Sequence, residues 1–147
     1  MKTIKNQTFF LFALFLFFSQ AGYSQQESSI LEKLKSTIWN ALDVRDGTYD
    51  LQFTDSTMVW TFGKSEEYII IEEFFLSNSA ETEFKSNQVG KNLNGNFLVF
   101  RAKRTTEDKR PKPITVMEII ELTNEKLLFK LPDNPGRPYL EFQAKNE

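Results

Sequence analysis

From Ile38 onward, apolar residues recur at every second position in short runs broken by turn residues, and this pattern most constrains the fold. Side chains alternate between the two faces of a strand, so a period of two marks strands with one face turned to a core. Trp39, Ala41 and Asp43 alternate with Asn40, Leu42 and Val44 before an Asp46-Gly47 turn signal. Tyr49, Leu51 and Phe53 alternate with Asp50 and Gln52 up to a second turn at Asp55-Ser56. Met58, Trp60 and Phe62 alternate with Val59 and Thr61 up to Gly63-Lys64-Ser65. Three short strands joined by tight turns read as a meander.

The pattern continues to the C-terminus. Residues 68–76 are apolar on both faces at first and polar in the middle, a phase slip that a bulge near Glu72-Glu73 would explain. Residues 83–89 read as a further, weaker strand, with a turn at 92–96. In 97–104, Leu98, Phe100 and Ala102 face one way and Phe97, Val99 and Arg101 the other. After a charged loop at 105–113, residues 114–123 read as the longest strand, with Ile114, Val116, Ile120 and Leu122 on one face. Strands at 127–131 and 139–144 follow, separated by a proline-rich loop at 132–138. About eight strands with turn residues between them predict an all-β chain. Sequential hairpins favour an up-and-down antiparallel β-barrel, which leaves no strand edge exposed.

One helix precedes the strands. Ser29 and Glu32 have the spacing of a capping box, and Ile30, Leu31, Leu34 and Ile38 form one apolar stripe. Such a stripe packs against the domain or binds a partner. Further upstream, Lys2 and Lys5 precede an unbroken apolar run over residues 9–18, followed by Ser19, Ala21, Gly22 and Ser24. A basic start, a short apolar stretch and small residues at its end are the marks of a secretory signal. The run falls short of the roughly 20 apolar residues a membrane helix needs. We therefore expect residues 1–24 to be a signal peptide cut before Gln25 or, in a second register, before Gly22. Residues 25–147 would form a single domain in the periplasm or outside the cell, with no stable membrane span.

Composition removes several functions. The chain has no Cys and no His, so a Ser-His-Asp triad, a Cys-His pair, a His- or Cys-ligated zinc site and any disulfide are ruled out. Both lysines of the first 24 residues fall in the signal, while all 20 acidic residues lie beyond it, leaving the mature domain at a net charge of −4. Nucleic acids and anionic membranes attract a positive field, so neither is expected as a partner.

Trp39 at the opening of the first strand, the Phe53-Thr54-Asp55 turn and the late hairpin from Ile120 to Leu127 give the chain a resemblance. It resembles the small lipocalin-like proteins of Gram-negative, Bacteroidetes-type bacteria over roughly residues 38–142. Thr37 stands where lipocalins usually carry Gly, two residues before the tryptophan. The resemblance implies an eight-stranded up-and-down barrel whose interior binds a small apolar molecule, without enzymatic activity or a cofactor.

Three sets of residues are candidate sites. Trp39, Tyr49, Phe53, Trp60, Phe62, Phe97 and Phe100 would line a cavity for an apolar guest; the plainer reading makes them ordinary core. Arg101, Arg104 and Arg110, with Lys103, Lys109 and Lys112, could bind an acidic partner or form a solvated hairpin tip. Glu72 and Glu73, with Glu66 and Glu67 nearby, could supply paired carboxylates for a hydrolase. Adjacent strand residues point to opposite faces, however, so convergence would require the bulge. Asn92, Asn94 and Asn96 around Gly95 lack the acidic ligands of a calcium loop. The alternative to a ligand-binding barrel is an interaction or structural module with a filled core, acting through the charged hairpin or the N-terminal helix.

Overall fold

The computed structural model describes residues 28–42, 48–63, 68–103, 112–131, 135–136 and 138–145. The signal segment, the Asp46-Gly47 turn, Glu66, Glu67, Arg104, Lys109 and Arg110 lie outside the described residues. Helix α1 (Ile30–Lys35) leads into strands β1 (Trp39–Ala41), β2 (Tyr49–Phe53), β3 (Thr57–Phe62), β4 (Tyr68–Ser77), β5 (Phe97–Ala102), β6 (Thr115–Leu122), β7 (Lys126–Lys130) and β8 (Tyr139–Ala144). Each strand pairs antiparallel with its neighbours in sequence, and β8 returns to β1, closing the barrel. The all-β barrel with one short preceding helix is the architecture the period of two predicts.

Register divides the strand residues between the two faces, because directly opposed residues in an antiparallel pair share a face. Trp39 opposes Leu51 and Ala144, Leu51 opposes Trp60, and Phe74 opposes Phe100. The buried core of Trp39, Leu51, Met58, Phe74, Leu76, Leu98, Met117, Leu127, Phe129 and Phe142 occupies the inner face. An eight-stranded barrel is just wide enough for its own side chains to fill, and large apolar side chains stabilise it by about 1.5–3 kcal/mol each when fully buried.

Helix α1 plugs one end. The Ser29 Oγ accepts from the Glu32 N–H, giving the expected N-cap. The Glu32 carboxylate accepts from Lys35 Nζ at 3.0 Å. Two further N–H groups of the first turn donate to the β4–β5 connection, Ile30 to Asn94 Oδ1 and Leu31 to the Leu93 carbonyl, both at 3.0 Å. The stripe faces inward, with Leu31 and Leu34 buried, and the Trp39 indole N–H donates to the Leu34 carbonyl at 2.8 Å. All four of the helix-end amide and carbonyl groups named here are therefore met by side chains or loop backbone rather than by water.

Three local expectations are corrected. Strand β4 runs without interruption and keeps one register with β3 and β5, so no bulge occurs at Glu72-Glu73. The register shift lies instead on β6, between Ile119 and Glu121, where it leaves Ile120 exposed and brings Leu122 opposite Leu127. Before the shift, the inner positions of β6 are Thr115, opposite Phe100, and Met117, opposite Leu98, whereas Val116 opposes Val99 on the outer face. Residues 83–89 form no strand; they hold a single 3-10 turn, Ser86–Gln88, within the long connection from β4 to β5. That connection covers the outer face of β4 and β5, where Phe84 packs edge-on against Phe75 and where Phe75 and Val99 are buried. At Gly95 it passes so close to β4 that a Cβ would sit 2.6 Å from the Ser77 carbonyl oxygen, at a φ of 153°.

Candidate functional site

The inner face at the end opposite α1 carries a different set of side chains. β3 and β4 supply most of it: Phe62 opposes Tyr68, Trp60 opposes Ile70, and Met58 opposes Glu72. β2 adds Tyr49, opposite Phe62, and β8 adds Phe142. The rings touch in sequence. Tyr49 lies 5.7 Å from Trp60, 5.5 Å from Phe62 and 5.8 Å from Phe142, measured between centroids. Trp60 stacks on Phe62 at 6.5 Å with an interplanar angle of 16°, and Phe62 lies 5.7 Å from Tyr68. The offset and tilted geometries are those aromatic pairs favour. Exposure rises along the wall: Phe142 is fully buried, Trp60 and Phe62 are partly exposed, and Tyr68 is 62% exposed.

A carboxylate sits among these rings. Glu72 opposes Met58 on one side and Ala102 on the other, which puts it on the inner face. Its Oε2 accepts from the Trp60 indole N–H at 2.8 Å. Burial pushes the Glu72 carboxyl above its ordinary value, and the Trp60 hydrogen bond reverses only part of that rise. Its neighbour Glu73 points outward and binds Arg101. The two carboxylates therefore lie on opposite sides of the sheet and do not form a catalytic pair.

The seven aromatic candidates separate into three groups. Tyr49, Trp60 and Phe62 meet at the end opposite α1. Trp39 and Phe53 lie in the plugged half, where Trp39 caps α1 and Phe53 meets Phe74 edge-on at 5.5 Å, while Phe100 is buried opposite Phe74. Phe97 opposes Ser77 and Glu118 and is on the outer face. Including it with Phe100 conflicts with the alternation of their own strand, since three positions along a strand reverse the face. Sequence reasoning missed Tyr68 and Phe142 as members of the ring wall. Their signal was the period of two shared with Ile70 and Leu140.

Arg101 is held in place on the outer face. Its Nε donates to Glu73 Oε1 at 2.6 Å, its Nη2 donates to Ser86 Oγ at 3.0 Å, and its guanidinium carbon lies 4.0 Å from the centre of the Phe84 ring. Arg104 and Arg110 are outside the described residues. The asparagines around Gly95 are structural: Asn94 caps α1, and Asn92 Nδ2 donates to the Leu76 carbonyl at 2.7 Å.

A separate groove of about 270 Å³ runs over the outer face of β1, β2 and β3, lined by Asn40, Asp50, Gln52, Val59, Thr61 and Lys145 among others. Its polar groups bind one another, with Asn40 Nδ2 at 2.7 Å and Lys145 Nζ at 2.8 Å from the Asp50 carboxylate. Burial would raise the Asp50 carboxyl, but these two hydrogen bonds outweigh it and hold the group below its ordinary range. Among the described residues, no group of three or more acidic side chains is placed to hold a metal ion, and no helix is long and apolar enough to cross a membrane. Compared with protein-family models, curated proteins and solved structures, the chain matches none.

Proposed function

We propose that this protein is an exported, non-enzymatic, lipocalin-like binding protein that holds a small apolar ligand against the ring wall of the barrel. The observation that carries this reading is the partial exposure of Trp60, Phe62 and Tyr68 at the end of the barrel that α1 does not plug. An apolar guest lying on those rings would remove their remaining surface from water, at about 25 cal/mol per Å². The other reading, an interaction module with a filled core, loses much of its support. The apolar stripe of α1 is buried in the barrel, and Arg101 is engaged by Glu73 and Phe84. It rests on Arg104 and Arg110.

The test is a native mass spectrum of the full-length gene product after export, followed by titration with an apolar fluorescent probe. Extra mass that is lost on denaturation, or saturable probe binding by the bare protein, supports the binding barrel. A bare mass together with no probe uptake overturns it.

A further inference from the structure

We propose that the ligand of the ring wall carries a protonated amine, which Glu72 receives while the rings hold its apolar part. The inference rests on the binding reading above and names the chemical class of the ligand.

Glu72 stands apart among the inner positions of the eight strands. Those assigned by strand pairing are apolar or uncharged, apart from Glu72. The other titratable groups there are the hydroxyls of Tyr49 and Tyr68; every Lys and Arg of the described strands lies on an outward position. A carboxylate turned into an apolar interior needs compensation from an opposite charge or several hydrogen bonds. The adjacent Glu73 has an arginine, and Asp50 has both a lysine and an amide. Among the described residues, Glu72 has the Trp60 indole N–H on Oε2 and no cation beside it.

The rings near this carboxylate favour the same chemistry. Trp60 donates its N–H to Glu72 while its face lies toward Phe62 and Tyr49. The faces of Trp and Tyr attract cations through their quadrupoles. An ammonium group is both a charge-assisted donor to Glu72 and a cation for those faces, and it remains joined to a chain that covers apolar surface. A carboxylate-headed ligand would meet repulsion at the same place, and an alcohol would leave the charge uncompensated. The plugged half is closed to the ligand by Trp39, Leu31, Leu34 and the core above them, so its polar head need travel no deeper than Glu72.

Indole fluorescence tests this with octylamine, octanol and octanoate, titrated at neutral pH into the full-length gene product purified after export. Octylamine is expected to bind at least about tenfold more tightly than octanol, the scale of a charge-assisted hydrogen bond with a cation over rings. Octanoate is expected to bind weakest. In Glu72→Gln, the preference for octylamine over octanol should disappear, and circular dichroism verifies that the variant is folded. Equal binding of amine and alcohol by the wild-type protein, or a preference for octanoate, overturns the amine and leaves the apolar binding site standing. An amine preference that survives Glu72→Gln overturns the role of Glu72. Binding of none of the three overturns the binding reading, and this inference with it.

Discussion

The two ends of the barrel are built from the same strands yet finished differently. At the α1 end, Leu34, Leu51 and Trp39 are fully buried, and the polar groups among them are paired, the Trp39 indole with the Leu34 carbonyl. At the other end, rings stay partly exposed beside a carboxylate that has a single donor among the described residues. The first arrangement maximises burial and satisfies its polar atoms, as a structural core does. The second leaves apolar surface wet around a partly buried carboxylate, which costs stability unless something else covers it. One β-meander thus finishes one end of its interior as closed core and leaves rings partly exposed at the other.

Substitutions can break this division. The largest effect is expected for Trp39→Ala in the plugged half. It removes a fully buried indole and the hydrogen bond that meets the end of α1, and should cost about 3–5 kcal/mol in denaturant unfolding followed by circular dichroism. Phe62→Ala, at the other end, should cost less, about 2 kcal/mol, because the ring is smaller and only partly buried. The same change should weaken an apolar probe clearly. Equal stability costs at the two ends would dissolve the contrast between them.

The smallest effect concerns pH. The folded state holds the Glu72 proton more tightly than the unfolded chain does, because its carboxyl is raised by burial. The native state therefore binds more protons than the unfolded state between the ordinary carboxylate range and the raised value. Stability from this group is fully present below the ordinary value and is lost as pH rises through the raised one. Thermal unfolding over that interval should show Glu72→Gln gaining on the wild-type protein as pH rises. A constant difference between the two would mean that Glu72 is solvated like a surface carboxylate.

Much of the fold was legible because period-two alternation is a local signal. Tyr49, Leu51 and Phe53, Met58, Trp60 and Phe62, and Leu98, Phe100 and Ala102 each fell on one face as the sequence implies. β4 was harder, since Ile69, Ile70 and Ile71 are apolar on both faces and hide which parity points inward. Pairing with β3 decides it, and pairing is not written in β4 alone. For the same reason Glu72 could be separated from Glu73 by sequence, but its inward direction could not be assigned. Residues 83–89 misled because they carry no period of their own: Phe84 is an isolated ring that serves the outer face of β4, where Phe75 needs cover. The bulge on β6 was invisible locally, as Ile119 and Ile120 are equally apolar and only the partner strand selects which one faces in.

The closure of β8 onto β1 has a consequence for how the chain ends hold the molecule. Every other pairing joins strands adjacent in sequence, whereas this seam joins the two ends of the barrel, and beside it Lys145 meets Asp50 of β2 across 95 positions. Closing a loop of that length costs about 4 kcal/mol in chain entropy from its length alone. β1 offers only three residues of backbone pairing against this, from Trp39 to Ala41. The ladder is extended by the Lys145 N–H donating to the Ile38 carbonyl at 2.8 Å, and the remainder must come from side chains. Trp39 thus acts as a clasp: it joins the helix, the first strand and the last, and its burial offsets the entropy of making a ring out of a ribbon.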